Sequence, residues 1–301
     1  MNFETIPCPV CTHTEHSPER IVSDRFRVLG ERTYALVRCQ KCKLVFLNPR
    51  PDVGSIGAFY DVPGYDPFGS AGEEPQTLSA KLYKKLRPLS IRKKAARVVA
   101  GLKPADRCLD VGCATGEFIV ELKRRGLEAD GCEPSAKAAD YARDHYGLRV
   151  WTGGIESVPT HAGPYKLITM WHVLEHVHKL RDTLETARQL LAPRGKIAIA
   201  VPNPQSLDAK AYGDRWVGWD TPRHLYHFDP PVMLDLLIRA GFDPRSLGAV
   251  AFDAFYHSIL SEPRGVAGLL RGGTRGMLSY ASGVFGGPGS SELYLGIKRP
   301  T

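Results

Sequence analysis

Residues 108–116, Cys-Leu-Asp-Val-Gly-Cys-Ala-Thr-Gly, decide how this 301-residue chain folds. An apolar strand ends in Asp110, and a turn from Gly112 to Gly116 opens an amphipathic helix predicted over Glu117 to Arg125. Glycine suits such a turn because a ligand approaches backbone closely only where no Cβ intervenes, and because a tight strand-to-helix turn draws on positive φ. The dinucleotide version of this corner reads Gly-x-Gly-x-x-Gly. Here Ala114 fills the second glycine position and the spacing is Gly-x-x-x-Gly, which argues against a dinucleotide. Seventeen residues past Gly116, a second apolar stretch, Leu127 to Cys132, ends in Glu133. A carboxylate at the C-terminal end of a strand is placed to accept both hydroxyls of a ribose.

Outward from this corner, strands and helices alternate, the pattern of a doubly wound α/β fold whose parallel sheet is covered on both faces. Strands are predicted at Arg107 to Val111, Leu127 to Glu133, Arg149 to Thr152, Leu167 to Met170, Lys196 to Val201, Pro244 to Phe252 and Glu292 to Lys298. Helices are predicted at Glu117 to Arg125, Ala136 to Tyr146, Leu180 to Leu191 and Pro231 to Ala240, and a helix broken at Pro88 over Leu78 to Leu102. Ligands of such sheets sit beyond the carboxyl ends of the strands, which directs attention to the loops there.

The N-terminal region reads differently. Cys8-Pro-Val-Cys11 and Cys39-Gln-Lys-Cys42 are two Cys-x-x-Cys knuckles separated by twenty-seven residues, enough for a hairpin that brings four thiolates onto one tetrahedral zinc ion. His13 or His16 could replace a cysteine. Disulfides are the poorer reading, because no charged-then-apolar leader follows Met1 and cytosolic thiols stay reduced. Cys108, Cys113 and Cys132 fall in or beside predicted core strands and read as small buried hydrophobes. With no apolar run near eighteen residues, the expectation is a soluble, cytoplasmic protein. A net charge of +8 favours acidic partners without choosing among them.

Leu109-Asp-Val-Gly-Cys-Ala-Thr-Gly116 and Gly131-Cys-Glu-Pro-Ser135 resemble the first two signature motifs of class I S-adenosylmethionine-dependent methyltransferases. Trp171-His-Val-Leu-Glu-His-Val177 and Pro222-Arg-His-Leu-Tyr-His-Phe228 resemble a bacterial subgroup that carries a cysteine-rich N-terminal module. The resemblance implies a Rossmann-like methyltransferase sheet with a small N-terminal zinc ribbon. It divides the chain into a zinc-ribbon module (1–48), a linker and lid helix (49–95) and a methyltransferase domain (96–301), with the loop 202–230 and an insertion 254–288 over the acceptor pocket. S-adenosylmethionine would be held by Asp110, Gly112, Ala114, Gly116, Glu133, Pro134, Ile155, Trp171 and His172, under a lid contributed by Tyr60 and Tyr65. Two positions depart from the family: Gly154 replaces the acid that touches the adenine, and Tyr165-Lys166 replaces the aspartate that opens the fourth strand.

Trp219-Asp-Thr-Pro-Arg-His224 is similar to the segment bearing the base histidine in zinc-containing sugar C-methyltransferases. That ranks His224 first as general base, then His227 and His176, and points to a sugar or sugar nucleotide as acceptor. Arg223, Arg215 and Lys210, in the same loop, are candidates to hold a phosphate or carboxylate. Four histidines and Glu175 could also ligate a metal, though no third ligand matching a His-x-x-x-His pair is evident. Two other readings stay open: an RNA methyltransferase gripping phosphates through the ribbon and basic surface, and a cofactor-binding protein without turnover. In 254–288, leucines and arginines between many glycines have the composition of a membrane-interface segment, but glycine at this density argues against a stable amphipathic helix.

Overall fold

The protein is represented by a computed structural model that describes residues 1–62, 78–250, 252–263 and 265–300. Its central sheet has seven strands: β1 (Arg107–Val111), β2 (Glu128–Glu133), β3 (Val150–Thr152), β4 (Tyr165–Trp171), β5 (Leu191–Pro202), β6 (Phe242–Ala249) and β7 (Ser291–Lys298). They lie in the order 3-2-1-4-5-7-6. β7 runs antiparallel to β5 and β6, and the pairs among β1 to β5 are parallel. Strand order reverses between β1 and β4, so the crevice beyond their carboxyl ends is where such a sheet binds ligands.

Helices α1 (Leu78–Val98), α2 (Glu117–Arg124), α3 (Ala136–Tyr146), α4 (Leu180–Leu190), α5 (Leu207–Tyr212) and α6 (Pro230–Arg239) connect and cover these strands. The apolar periodicity read in the sequence is the packing face: Phe118, Ile119 and Leu122 of α2, and Leu180, Leu184 and Ala187 of α4, are buried. Ser135 and Asp229 cap α3 and α6 by accepting hydrogen bonds from the backbone N–H of Ala138 and Val232.

Three predictions of structure need correction. Pro88 lies inside a single helix, α1, where a break was expected. β6 runs from Phe242 to Ala249, starting two and ending three residues earlier than predicted, with a register shift between Ser246 and Gly248; Pro244 is tolerated because β6 is an edge strand. The third concerns 254–288, which forms a helical hairpin of α7 (Asp253–Leu260) and α8 (Val266–Val284) despite its glycines. A Cβ added at Gly272 would stand 2.7 Å from Ile259 Cα, and one at Gly276 2.8 Å from Phe255 Cα. The glycines let the two helix backbones approach, and this contact outweighs the low helix propensity.

The N-terminal strands His16–Ser23, Thr33–Cys39 and Val45–Leu47 form an antiparallel sheet whose fourth strand comes from far away in sequence. Tyr226–His227, in the loop after β5, pairs with Val45–Leu47, and the Leu47 N–H donates to the Leu225 carbonyl at 2.9 Å. Phe46, Leu47, Phe59, Tyr226 and Phe228 are buried in one apolar cluster with residues of β4 and β5. Thus the N-terminal sheet and the loop 202–230 share one core.

Candidate active site

The corner at the end of β1 holds its shape through backbone conformations that need glycine. Gly112 and Gly116 have φ of +67° and +83°, and Ala114, unusually for a residue with a Cβ, has φ of +50°. A Cβ on Gly112 would come within 2.5 Å of Val173, and one on Gly116 within 2.4 Å of Leu148. Glu133, at the end of β2, accepts the Ala114 N–H at 3.0 Å and the Ser135 N–H at 2.9 Å. Two backbone donors satisfy only half of a carboxylate's lone pairs, so Glu133 retains capacity for a ligand's hydroxyls. Burial raises its pKa, against these two hydrogen bonds. Asp110 is buried too, and burial lifts it to about 7 although the Thr169 hydroxyl donates to it at 2.6 Å.

Other expected cofactor residues border this corner. Ile155 is buried just past β3, and Pro134 is exposed past β2. Trp171 ends β4 with its ring edge-on to Phe118 at 5.1 Å, and its buried indole N–H has no partner among the described residues. The Glu156 side chain folds back to accept the Gly154 N–H at 3.2 Å, so an acid does reach the loop after β3. The polar role expected at the opening of β4 has moved to Asp130, which accepts from the Tyr165 hydroxyl at 3.1 Å and pairs with Arg107 and Arg149. Tyr65 lies outside the described residues. The free carboxylate capacity, the glycine turn that ordinary side chains would fill and the orphaned indole N–H fit an adenosyl cofactor.

Beyond β4, His172 is held between two carboxylates. Its Nε2 is 2.8 Å from Asp253 on α7, and its Nδ1 is 3.5 Å from Glu175. Burial works to strip the proton from His172, but the two carboxylates outweigh it and raise the pKa to about 9. Glu175 shows the reverse balance: burial pushes its carboxyl up, and His172 with its neighbouring histidines brings it down to about 2. Apart from this long contact with His172, neither oxygen of Glu175 has a hydrogen-bond partner among the described residues. The ligand atoms of Glu175, His176 and His224 all lie within 4.8 Å of one another.

His224 and His176 enter this cluster in similar states. His224 Nδ1 donates to the Gly218 carbonyl at 2.9 Å, and His176 Nδ1 stands 3.2 Å from the Arg223 carbonyl and 2.9 Å from the Tyr60 hydroxyl. Burial depresses both pKa values, His176 to about 4, so each ring is neutral near pH 7. With Nδ1 carrying the proton, Nε2 of His224 is left as a lone pair. His227 lies beside them, its ring centroid 6.3 Å from that of His224, but outside the three-residue set. It sits on the short strand against Val45, edge-on to Trp219, with Nε2 buried and without a partner among the described residues.

Arg223 corrects the reading of its loop. It is fully buried, pairing with Asp24 at 2.8 Å and Asp220 at 2.9 Å and donating to the Phe59 carbonyl at 3.1 Å. It ties the N-terminal sheet to the loop after β5 and is not placed to grip a phosphate. The sequence reading missed Asp253 altogether. An acid opening a helix after an edge strand reads as an ordinary cap, and its histidine partner is 81 residues away.

In the N-terminal module, Cys8 and Cys42 have sulfurs 3.3 Å apart, Cys11 and Cys39 3.5 Å, and all four atoms lie within 4.8 Å of one another. A tetrahedral ion with bonds of about 2.3 Å separates its sulfurs by about 3.8 Å, so the four thiols fit zinc. Cys42 is pulled down to about 5 by its hydrogen bond with Cys8, whose own pKa that same bond raises. His13 and His16 are not in the cluster: His13 faces Glu15, and His16 contacts Asn48.

Comparison with known proteins agrees with this geometry. A family described as Methyltransferase domain matches residues 83–247, more than half of the chain. A ubiquinone biosynthesis O-methyltransferase of Bordetella avium (strain 197N) is 28% identical over 167 residues, 52% of this chain and 69% of that protein. One from Azoarcus sp. (strain BH72) is 31% identical over 103 residues, 32% of this chain; the chain spans only 44% of that relative's length. Among solved structures, one in complex with S-adenosylmethionine, geranyl diphosphate methyltransferase, is similar with a TM-score of 0.52 and 16% identity, covering 76% of this chain and 94% of that one. A chain from the complex of the Haloferax volcanii Trm112 methyltransferase activator has a TM-score of 0.54 at 15% identity, covering 74% and 96%. These likenesses concern the fold.

Proposed function

The chain belongs to the S-adenosylmethionine-dependent methyltransferases, and from that premise we propose that it methylates a hydroxyl of a small molecule, with His224 receiving the acceptor's proton. The observation that carries this reading is the placement of His224: its Nδ1 is held by the Gly218 carbonyl, and it has a ligand atom within 4.8 Å of those of Glu175 and His176. When bound, the cofactor would supply a methyl group carried on a positively charged sulfur, with a neutral thioether as the leaving group. Asp110, Glu133 and the turn 112–116 orient the donor, and positioning of this kind accounts for much of the acceleration in an in-line displacement. His224 takes the proton at Nε2, and the Glu175 carboxylate steadies the imidazolium so formed.

Oxygen as the receiving atom is supported by the O-methyltransferase names of the relatives. A sugar or sugar nucleotide as acceptor is supported by residues 219–224, with Lys210 or Arg215 in place of Arg223 as the anchor for a phosphate. One zinc ion on Cys8, Cys11, Cys39 and Cys42 would close a structural site in a reducing compartment such as the cytoplasm. Incubating the protein and a metabolite pool with methyl-labelled S-adenosylmethionine tests the reading. Label should appear on a hydroxyl-bearing compound; cofactor binding without any labelled product would favour the non-catalytic alternative.

A second reading is favoured by the two Glu175 oxygens, which have only the long contact with His172 among the described residues. Glu175, His176 and His224 would then hold a divalent cation, and His224 would serve as ligand and not as base. Stoichiometric Mn²⁺ binding, followed by paramagnetic resonance and lost in Glu175→Gln, would support it.

A further inference from the structure

Helix α8 is built inside out. Its inner face carries Gly268, Gly272, Gly276 and Ser279, all buried, with Gly272 and Gly276 against α7. Its large apolar side chains point the other way: Val266, Leu270, Met277, Leu278, Val284 and Phe285 are 75, 67, 62, 61, 60 and 88% exposed. At 100° per residue, Val266, Leu270, Met277 and Val284 fall within an arc of about 40°, in a straight stripe roughly 27 Å long. Contiguous exposed apolar surface of this kind marks a docking face. The close approach to α7 explains why the inner face must be glycine. It does not explain why the outer face is apolar.

Charge selects the occupant. From Val266 to Ser291 the sequence has no aspartate or glutamate, while Arg271 and Arg275 lie to one side of the exposed apolar residues, next in rotation to Leu278. The acid they meet, Glu262, at 3.1 and 3.6 Å, offsets one of these two charges, so this flank keeps a net positive charge, on a chain of net charge +8. A two-fold pairing of the stripe with a second copy would set these like charges against each other. Anionic headgroups would neutralise them while the apolar ridge enters the acyl boundary. No described helix is long and apolar enough to cross a membrane, so α8 would lie along the surface.

We propose that α8 docks the protein on an anionic lipid surface. This goes beyond the methyl-transfer reading and stands without it. The surface is one hairpin away from the candidate site, because Asp253 at the start of α7 holds His172.

Flotation of the full chain with phosphatidylcholine vesicles, with and without phosphatidylglycerol, tests the proposal. Binding is expected to the phosphatidylglycerol vesicles, weakening as salt is raised, and to fall at least about tenfold in Leu270→Asp with Phe285→Asp while cofactor affinity is unchanged. Because those substitutions could disturb the hairpin, Phe285→Trp provides a second readout: its emission should shift to the blue on the anionic vesicles. Absence of wild-type binding, binding that survives the aspartates, or a solution dimer that the aspartates dissociate would each overturn the proposal.

Discussion

The His172 imidazole sits between two carboxylates, 2.8 Å from Asp253 and 3.5 Å from Glu175, and so joins the α7–α8 hairpin to the histidine cluster beyond β4. Because its folded pKa is raised from 6.5 to about 9, the stability it contributes is complete below pH 6.5 and is lost as pH rises through about 9. Such a shift corresponds to roughly 3 kcal/mol. The side chain is 28% exposed, so solvent screening holds the effect below that figure. Urea denaturation on either side of this window should show the wild type losing stability with rising pH and Asp253→Asn losing markedly less. Equal losses in both proteins would mean that the pair carries no net stabilisation.

His224→Ala should leave cofactor affinity nearly unchanged and lower turnover by ~10²- to 10⁴-fold, the usual worth of a positioned base. Since burial lowers the pKa of His224, the neutral, proton-accepting ring should persist to pH values below 6.5. Turnover should therefore be level at neutrality and fall only on the acid side, and the variant should lack that limb. Full turnover in His224→Ala with loss in His176→Ala or His227→Ala would transfer the role.

Arg223→Ala should destabilise the fold by about 3–5 kcal/mol, because it leaves Asp24 buried without this guanidinium and Asp220 with Arg25 alone. Arg223→Lys should rescue little, since one ammonium cannot reproduce the fork of donors to both acids and the Phe59 carbonyl. A change in acceptor affinity at unaltered stability would restore the anion-binding role that burial argues against.

Removing metal from the four-cysteine cluster, or replacing Cys39 with serine, should do more than loosen residues 1–48. The Tyr226–His227 strand hydrogen-bonds to Val45–Leu47, so the loop bearing His224 should lose order and turnover should drop, while Glu133 and the turn 112–116 still bind cofactor. Elemental analysis of the reduced protein should find one zinc per chain. A metal-free protein with full turnover would refute both the ion and the coupling.

The sheet was legible because buried parallel strands are short apolar runs bounded by turn residues, and because Gly112, Gly116 and Glu133 each answer a local demand of backbone or charge. The acceptor side was harder to read, since its contacts are distant in sequence. Arg223 meets Asp24 across 199 residues, and nothing near Arg223 marks it as buried. Tyr226–His227 is a strand of two residues, too short for any period to announce. In α8, glycine content argued against a helix because propensity counts each residue alone, whereas a row of glycines at every fourth position is what a close helix pair requires.

Calorimetric titration with S-adenosylmethionine and its demethylated product tests most directly the claim that the corner between β1 and β2 is a methyl-donor site. Both should bind with one site per chain, and Glu133→Ala should weaken both by ~1.5–3 kcal/mol, the loss expected when charge-assisted hydrogen bonds are removed. A parent protein that binds neither, or a Glu133→Ala variant that binds both as tightly as the parent, would contradict it.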